Sequence, residues 1–195
     1  MHDRQAGLEC AFSPNRAEKR TQIIEAAKQV LLEHGLEGCT VRAVAAASPL
    51  TKSAIHYYFQ DMNDLVDTAM TAHIAAFVRT VRDAATEETD PLQRFWAATE
   101  SYLSLFQGEP RAIMLWHEYW MHCVRQGRLT AIDGMFGEVT SIFLDLLSAM
   151  NVEDAPRRAR MLASYLIGTA TRQTVSTYPF TAVQAEIGLI CSVVR

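Results

Sequence analysis

The chain has 195 residues, of which 49% are hydrophobic and 21% charged, with only 9 Gly and 6 Pro, so disordered, collagen-like and low-complexity classes are excluded. Its formal net charge of −4 argues against a uniformly basic nucleic-acid binder. The charge is uneven, however. Between residues 14 and 57 six cations (Arg16, Lys19, Arg20, Lys28, Arg42 and Lys52, including every lysine of the chain) face four glutamates, which puts a mildly basic head on an acidic body.

Almost every segment reads as helix, and no long polar/apolar alternation supports a sheet. Residues 15–34 place Ile23, Ala27, Val30, Leu31 and His34 on one face, and Gly35 is positioned to end that helix. Two short helices are predicted over 41–47 and 51–57, parted by Ser48-Pro49-Leu50. The first carries Val41, Val44 and Ala45 inward; Ile55 and Phe59, four apart, turn the second inward. Asp61 can cap a longer helix with Asp64 three residues on, a variant of the capping box. Its stripe is Leu65, Ala69, His73, Phe77 and Val81.

Asp90-Pro91 opens the next helix with a capping side chain and a first-turn proline, and Gly108 and Pro110 mark its end. A helix over 111–125 stops near Gly127. Then comes the fullest apolar stripe, Ile132, Met135, Phe136, Val139, Ile142, Phe143, Leu146, Leu147 and Met150, which requires burial along most of its length. Two last helices are expected over 157–177 and 181–194, broken at Tyr178-Pro179. The first offers small surface residues (Ala163, Ser164, Gly168, Thr169, Ala170). The second sets Val183, Ile187, Ile190, Cys191 and Val194 on one side with no obvious place to dock, which points to a partner subunit. The expected fold is all-α, about nine helices, with a boundary near residue 61: residues 1–60 as head, with 1–14 as a flexible arm, and 61–195 as body.

No apolar run reaches the ~18 residues of a membrane span, and the first residues carry no signal-peptide core, so a cytoplasmic, membrane-free protein is expected. Cys10, Cys39, Cys123 and Cys191 are scattered, without the spacing of a disulfide framework or a zinc knuckle. His117, Glu118, His122 and Cys123 invite a metal, but two histidines five apart on a helix splay by about 140°. A surface Glu118–His122 pair is the better expectation, and no metal or cofactor is assigned. Nor does a nucleophile elbow, phosphate loop or carboxylate pair support an enzyme, so no catalytic residue is named.

The pair of short helices at 40–59 is laid out as a helix-turn-helix. The second starts with small and polar side chains, Thr51, Lys52 and Ser53, suited to a major groove, and Lys52 can reach a phosphate or a guanine edge. Thr40-Val41-Arg42-Ala43-Val44-Ala45-Ala46-Ala47, followed by Thr51-Lys52-Ser53-Ala54-Ile55-His56-Tyr57-Tyr58-Phe59 and Asp64-Leu65, resembles the DNA-binding signature of TetR-type bacterial transcriptional regulators. Ile23-Ile24-Glu25-Ala26-Ala27 and Glu33-His34-Gly35-Leu36 are similar to that family's first helix.

The resemblance implies a homodimer on double-stranded, palindromic DNA, with the last two helices of each subunit forming a four-helix interface. It assigns phosphate contacts to Thr40 and Arg42, base or groove contacts to Thr51, Lys52, Ser53, His56 and Tyr57, and the closing aromatic pair to Tyr58 and Phe59, with Tyr58 counted on the DNA side. Three positions depart from the family pattern. Pro49 replaces the turn glycine and cannot supply a left-handed residue, His56 replaces a tyrosine, and Met62 replaces a lysine that meets backbone phosphate.

Residues 95–123 contain all three tryptophans and are dense in aromatics, as a domain enclosing an apolar pocket would be. The resemblance places a small-molecule effector in these helices, and the expected lining is Phe77, Trp96, Tyr102, Met114, His117, Trp120 and Phe143. The combined expectation is a repressor released from DNA by a small, mostly apolar effector. The alternative is a helical small-molecule binding or catalytic protein with a vestigial helix-turn-helix, separable by a gel shift on a palindrome.

Overall fold

The structure, a computed structural model, describes residues 14–107, 109–177 and 179–193. The expectations for the arm ahead of residue 14, and for Cys10, Gly108, Tyr178 and Val194, therefore lie outside the described residues. Nine α-helices and no strand are present among those described. In chain order they are α1 (Pro14–Gly38), α2 (Val41–Ala47), α3 (Lys52–Tyr58), α4 (Met62–Thr86), α5 (Pro91–Ser104), α6 (Pro110–Arg125), α7 (Leu129–Ala149), α8 (Ala155–Gln173) and α9 (Thr181–Cys191).

Local chemistry sets most of the helix starts. Thr40, Thr51, Asp61 and Asp90 each sit in extended backbone and accept an amide three residues on with the side chain. Each such cap is worth about 1 kcal/mol. At α4 the box is reciprocal: Asp61 Oδ1 accepts from Asp64 N at 2.9 Å, and Asp64 Oδ2 accepts from Gln60 N at 3.0 Å. Helix α8 begins at Ala155, two residues before the sequence limit, because Pro156 is tolerated inside the first helical turn, and it ends at Gln173, four residues before the expected end.

Gly35 interrupts α1 at φ 69°, ψ −173°, a conformation essentially confined to glycine, so the last turn of α1 runs in a new direction. Ile23, Ala27, Val30 and Leu31 are buried as their spacing requires, but His34 is exposed, one residue before the break.

The apolar interior does not divide at residue 61. One cluster joins the head residues Ile23, Leu31, Val44, Ile55 and Phe59 to the first half of α4, to α6 and to the start of α7. A second joins the rest of α4 to α5, α7, α8 and α9. Val183, Ile187 and Cys191 of α9 are buried in that second cluster, so the last helix docks on its own chain and its apolar face is no evidence for a partner. The small residues of α8 also split: Ala163, Thr169 and Ala170 are buried, whereas Ser164 and Gly168 face outward. No described helix is long and apolar enough to cross a membrane.

Candidate DNA-binding face and effector cavity

Ile55 and Phe59 are 2% and 3% exposed and pin α3 to the head core, with Val44 of α2 beneath. The opposite side of α3 is therefore presented to solvent: Lys52, Ser53, His56 and Tyr57 are exposed, as are Thr51, Thr40 and Arg42. Thr40 and Thr51 also hold their helix N-termini, through Ala43 N at 3.2 Å and Ala54 N at 3.3 Å. Tyr58 differs from its neighbours in being half-buried against the core, its ring edge-on to Tyr57 at 5.1 Å. The Arg16 guanidinium rides over the Tyr57 ring at 5.5 Å, and Arg20 over Phe59 at 4.9 Å, which ties α1 to the outer face of α3 at Tyr57 and to its buried C-terminal end at Phe59.

The turn between α2 and α3 is made without a left-handed residue. Ser48 and Thr51 are both extended, and the Ser48 hydroxyl bridges Pro49 by accepting from Leu50 N at 3.1 Å. A side chain thus replaces the glycine conformation that proline forbids. Met62 does not point freely toward a backbone phosphate; it is half-buried and packs against the head core.

In the body, a cavity of about 40 Å³ lies among α4, α5, α6, α7 and α8. Helix α4 gives Met70, His73, Ile74 and Phe77 to its wall. Tyr102 and Phe106 come from α5 and the turn beyond it, Ala112 and Trp116 from α6. Met135, Phe136 and Val139 of α7 and Ala163 and Ile167 of α8 close it. Phe77 meets Tyr102 edge-on at 5.0 Å and Phe106 at 5.4 Å. Burial, reinforced by the nearby Lys28 charge, lowers the His73 pKa and keeps the ring neutral; burial raises that of the Tyr102 phenol.

Of the seven expected lining residues, Phe77 and Tyr102 are on this wall. Trp96 is not: it packs edge-on to Phe95 and Phe180 at the α9 end. Phe143 is fully buried behind Tyr102, with ring centres 6.2 Å apart. Met114, His117 and Trp120 are not on this wall: Met114 is 54% and Trp120 36% exposed, and His117 is half-buried toward α8. At 100° per residue, 113, 116, 119 and 123 share the buried face and 114 and 117 lie outside it, whereas 120 falls within its arc, where Trp120 meets Phe136 edge-on at 5.9 Å. The other eleven wall residues, Trp116 and those of α7 and α8 among them, were outside the expected lining; the inward stripes were visible, but not which helix each would meet.

His117 Nε2 lies 2.9 Å from Thr171 Oγ1, whose own proton goes to the Ile167 carbonyl, so the imidazole donates. Glu118 and His122 do not pair. Glu118 Oε2 accepts from Leu36 N at 2.9 Å, just past the Gly35 break, and His122 Nε2 reaches Asn63 Oδ1 at 3.3 Å. Helix α6 therefore touches both ends of the molecule: Trp116 lines the cavity, and two residues on Glu118 grips the head. A second tie joins α4 to α6 and α7, where Asp67 accepts from the Tyr119 hydroxyl at 2.9 Å and pairs with Arg128. No cluster of three metal-ligating side chains occurs among the described residues.

Residues 23–69 match the family described as bacterial regulatory proteins, tetR family. Over those residues the chain resembles the TetR family. The curated relatives it is similar to are HTH-type transcriptional regulators. Similarity extends well beyond the head. The HTH-type transcriptional regulator BetI of Cronobacter sakazakii is 27% identical over 173 residues, 83% of this chain and 82% of that protein. Among solved structures, a TetR transcription regulator from Haloarcula marismortui superposes with a TM-score of 0.76 at 19% identity, over 90% of this chain and 97% of the other. The transcriptional regulator FadR of Bacillus subtilis, in complex with stearoyl-CoA, does so with a TM-score of 0.62 at 16% identity, over 90% and 99%. Such relatives are transcriptional regulators rather than enzymes.

Proposed function

We propose that this TetR-like chain is a homodimeric repressor that leaves a palindromic operator when a small, mostly apolar effector enters the α4–α8 cavity. Residues 1–60 serve as the DNA-binding unit and 61–195 as the effector and dimerisation unit, in the cytoplasm. The observation that carries the reading is the α3 surface, where Thr51, Lys52, Ser53, His56 and Tyr57 are exposed on a helix locked from behind by Ile55 and Phe59. Thr40 and Arg42 flank it at the start of α2, placed for backbone phosphates while α3 reads base edges.

Effector entry acts on DNA through α6. A molecule larger than the 40 Å³ cavity must push Trp116 or its neighbours outward, and α6 carries that displacement to the Leu36 amide through Glu118. The shift in operator affinity can be no larger than the effector's differential affinity for the two states. The dimer face is assigned to the outer side of α8 and α9, where Ser164 and Gly168 line a groove with Arg172 and Glu186, flanked by Met161 at 45% and Leu189 at 81% exposure.

A mobility shift on palindromes from the adjacent promoter tests the proposal. Specific retardation by the wild type, weakened by Lys52→Ala with unchanged melting temperature, is expected. The Lys52→Ala variant should also lose about 0.9 per subunit from the slope of log affinity against log salt if the lysine meets a phosphate. Failure to retard any palindrome would return the alternative of a vestigial head.

A further inference from the structure

The polar part of the α4–α8 cavity is small and confined to one corner. Besides Trp116 its wall holds two polar side chains, His73 of α4 and Tyr102 of α5, and everything else lining it is apolar. The Trp116 indole N–H is sealed within the packing. Tyr102 is only 3% exposed, yet its hydroxyl is not sealed, so the surface it keeps is that of the cavity it lines. Neither this hydroxyl nor the His73 ring has a hydrogen-bond partner among the described residues; burial and, at His73, the Lys28 charge are what act on them. A phenol left unpartnered at that depth is costly unless a guest in the cavity completes it.

The two groups border one space. Phe77 meets Tyr102 edge-on at 5.0 Å, and His73 lies one turn earlier on the same face of α4, about 6 Å back along the helix. Both can donate: the phenol through its O–H, the imidazole through one nitrogen when neutral and through two when protonated. The charge beside them has one sign. Lys28 of α1 acts on His73, and no carboxylate lines the wall. Glu25 holds Lys28 at 2.8 Å from the solvent side, 59% exposed against 19% for the lysine, so water screens the glutamate more. From α5 to α8 the wall adds no charge, and Tyr102 is its one titratable group.

We propose that the effector is a monocarboxylic acid with a hydrocarbon body, its carboxylate held between the Tyr102 hydroxyl and a His73 imidazolium. A carboxylate only accepts, and the two donors serve its two oxygens. The acid is ionised in water and costly to bury alone, so His73 takes a proton from solution as it binds, and the bound pair carries no net charge. An alkylammonium ion meets the Lys28 charge without a counter-ion, and an amide gains hydrogen bonds but no ion pair. Met70 and Met135 are the adaptable wall residues that make room for the apolar body. Calling the acid an effector rests on the regulator reading; its binding does not.

Calorimetric titration of the full-length protein with sodium hexanoate, hexanamide and hexylammonium chloride tests this, at pH 6, 7 and 8 and in buffers of different ionisation enthalpy. Hexanoate is expected to bind with uptake of about one proton near pH 7, a measurement that needs no variant. Its affinity should fall as pH rises, by up to about tenfold per unit, because the complex holds a proton that the free protein does not. Hexanamide should bind more weakly at pH 6 and without pH dependence, and hexylammonium should not bind. Tyr102→Phe should weaken hexanoate at least about tenfold, the equivalent of one hydrogen bond to a charged group. His73→Gln should abolish proton uptake and keep the hexanamide affinity. No binding of hexanoate, binding without proton uptake, a preference for either other probe, or uptake that survives His73→Gln would each overturn the assignment. A parallel operator shift separates this from the regulator reading: protein that retards a palindrome but takes no hexanoate refutes the acid and keeps the regulator, and protein that takes hexanoate but retards no palindrome does the reverse.

Discussion

Gly35→Ala is the substitution on which the coupling between head and body depends most directly. Residue 35 sits at φ 69°, ψ −173°, and a Cβ there would stand 2.8 Å from Glu118 Oε2 and 3.4 Å from its Cδ. Two separable costs follow. Backbone strain for a non-glycine residue in that region is about 1–3 kcal/mol, and it applies whatever Glu118 does. The carboxylate is the far end of a flexible side chain and can swing away, but it then loses its 2.9 Å bond to Leu36 N, worth about 1 kcal/mol at an exposed site.

The total, about 2–4 kcal/mol, corresponds to a fall in melting temperature of roughly 5–15 °C for a chain of this size. Glu118→Ala alone should cost only the hydrogen bond, roughly 2–4 °C. Because both substitutions remove the same bond, the double variant should be about 1 kcal/mol more stable than the sum of the singles predicts. Calorimetric melting of the four proteins at one fixed concentration measures this, since the proposed dimerisation would make the midpoint concentration-dependent. An unshifted Gly35→Ala midpoint, or strict additivity in the double variant, would refute the account of the break and its clasp.

Met62→Lys is expected to lower the melting temperature and leave the salt slope of DNA binding unchanged, because Met62 packs on the head core; a steeper slope at unchanged stability would place the side chain at a phosphate instead. Gly168→Glu should leave the monomer fold intact, since a Cβ at residue 168 meets nothing within 4 Å, but should produce monomers by sedimentation if α8 forms the dimer face; persistent dimers would move the interface elsewhere. Burial lowers the His73 and His117 pKa values below the ordinary 6.5, so the unfolded chain binds more protons as pH falls through about 6.5 and stability is lost on acidification. The melting temperature should therefore drop between about pH 7 and 5.5, less steeply in His73→Leu; a rise over that interval would contradict the neutral state of these rings.

What the sequence by itself determined is everything carried by neighbours in the chain. The caps at Thr40, Thr51, Asp61 and Asp90 act over three residues, and the inward stripe of α3 repeats every four, so the helices and the solvent-facing side of α3 were legible before any packing was known. Even Gly35 was readable as a break. Which surfaces meet was not readable, because a buried stripe says that a face is covered and never by what. Trp96 and Trp116 look alike in the chain, yet one packs toward α9 and the other lines the cavity. Met114, His117 and Trp120 follow a helical spacing as regular as that of the buried face, and only the approach of α1 and α7 to α6 decides which residues are covered. The tertiary arrangement likewise set Glu118 on the Leu36 amide, 82 residues away in sequence, and docked the apolar face of α9 on its own chain. Long-range contacts of this kind depend on helix crossing geometry, which the summed fit of whole faces selects and local periodicity does not encode.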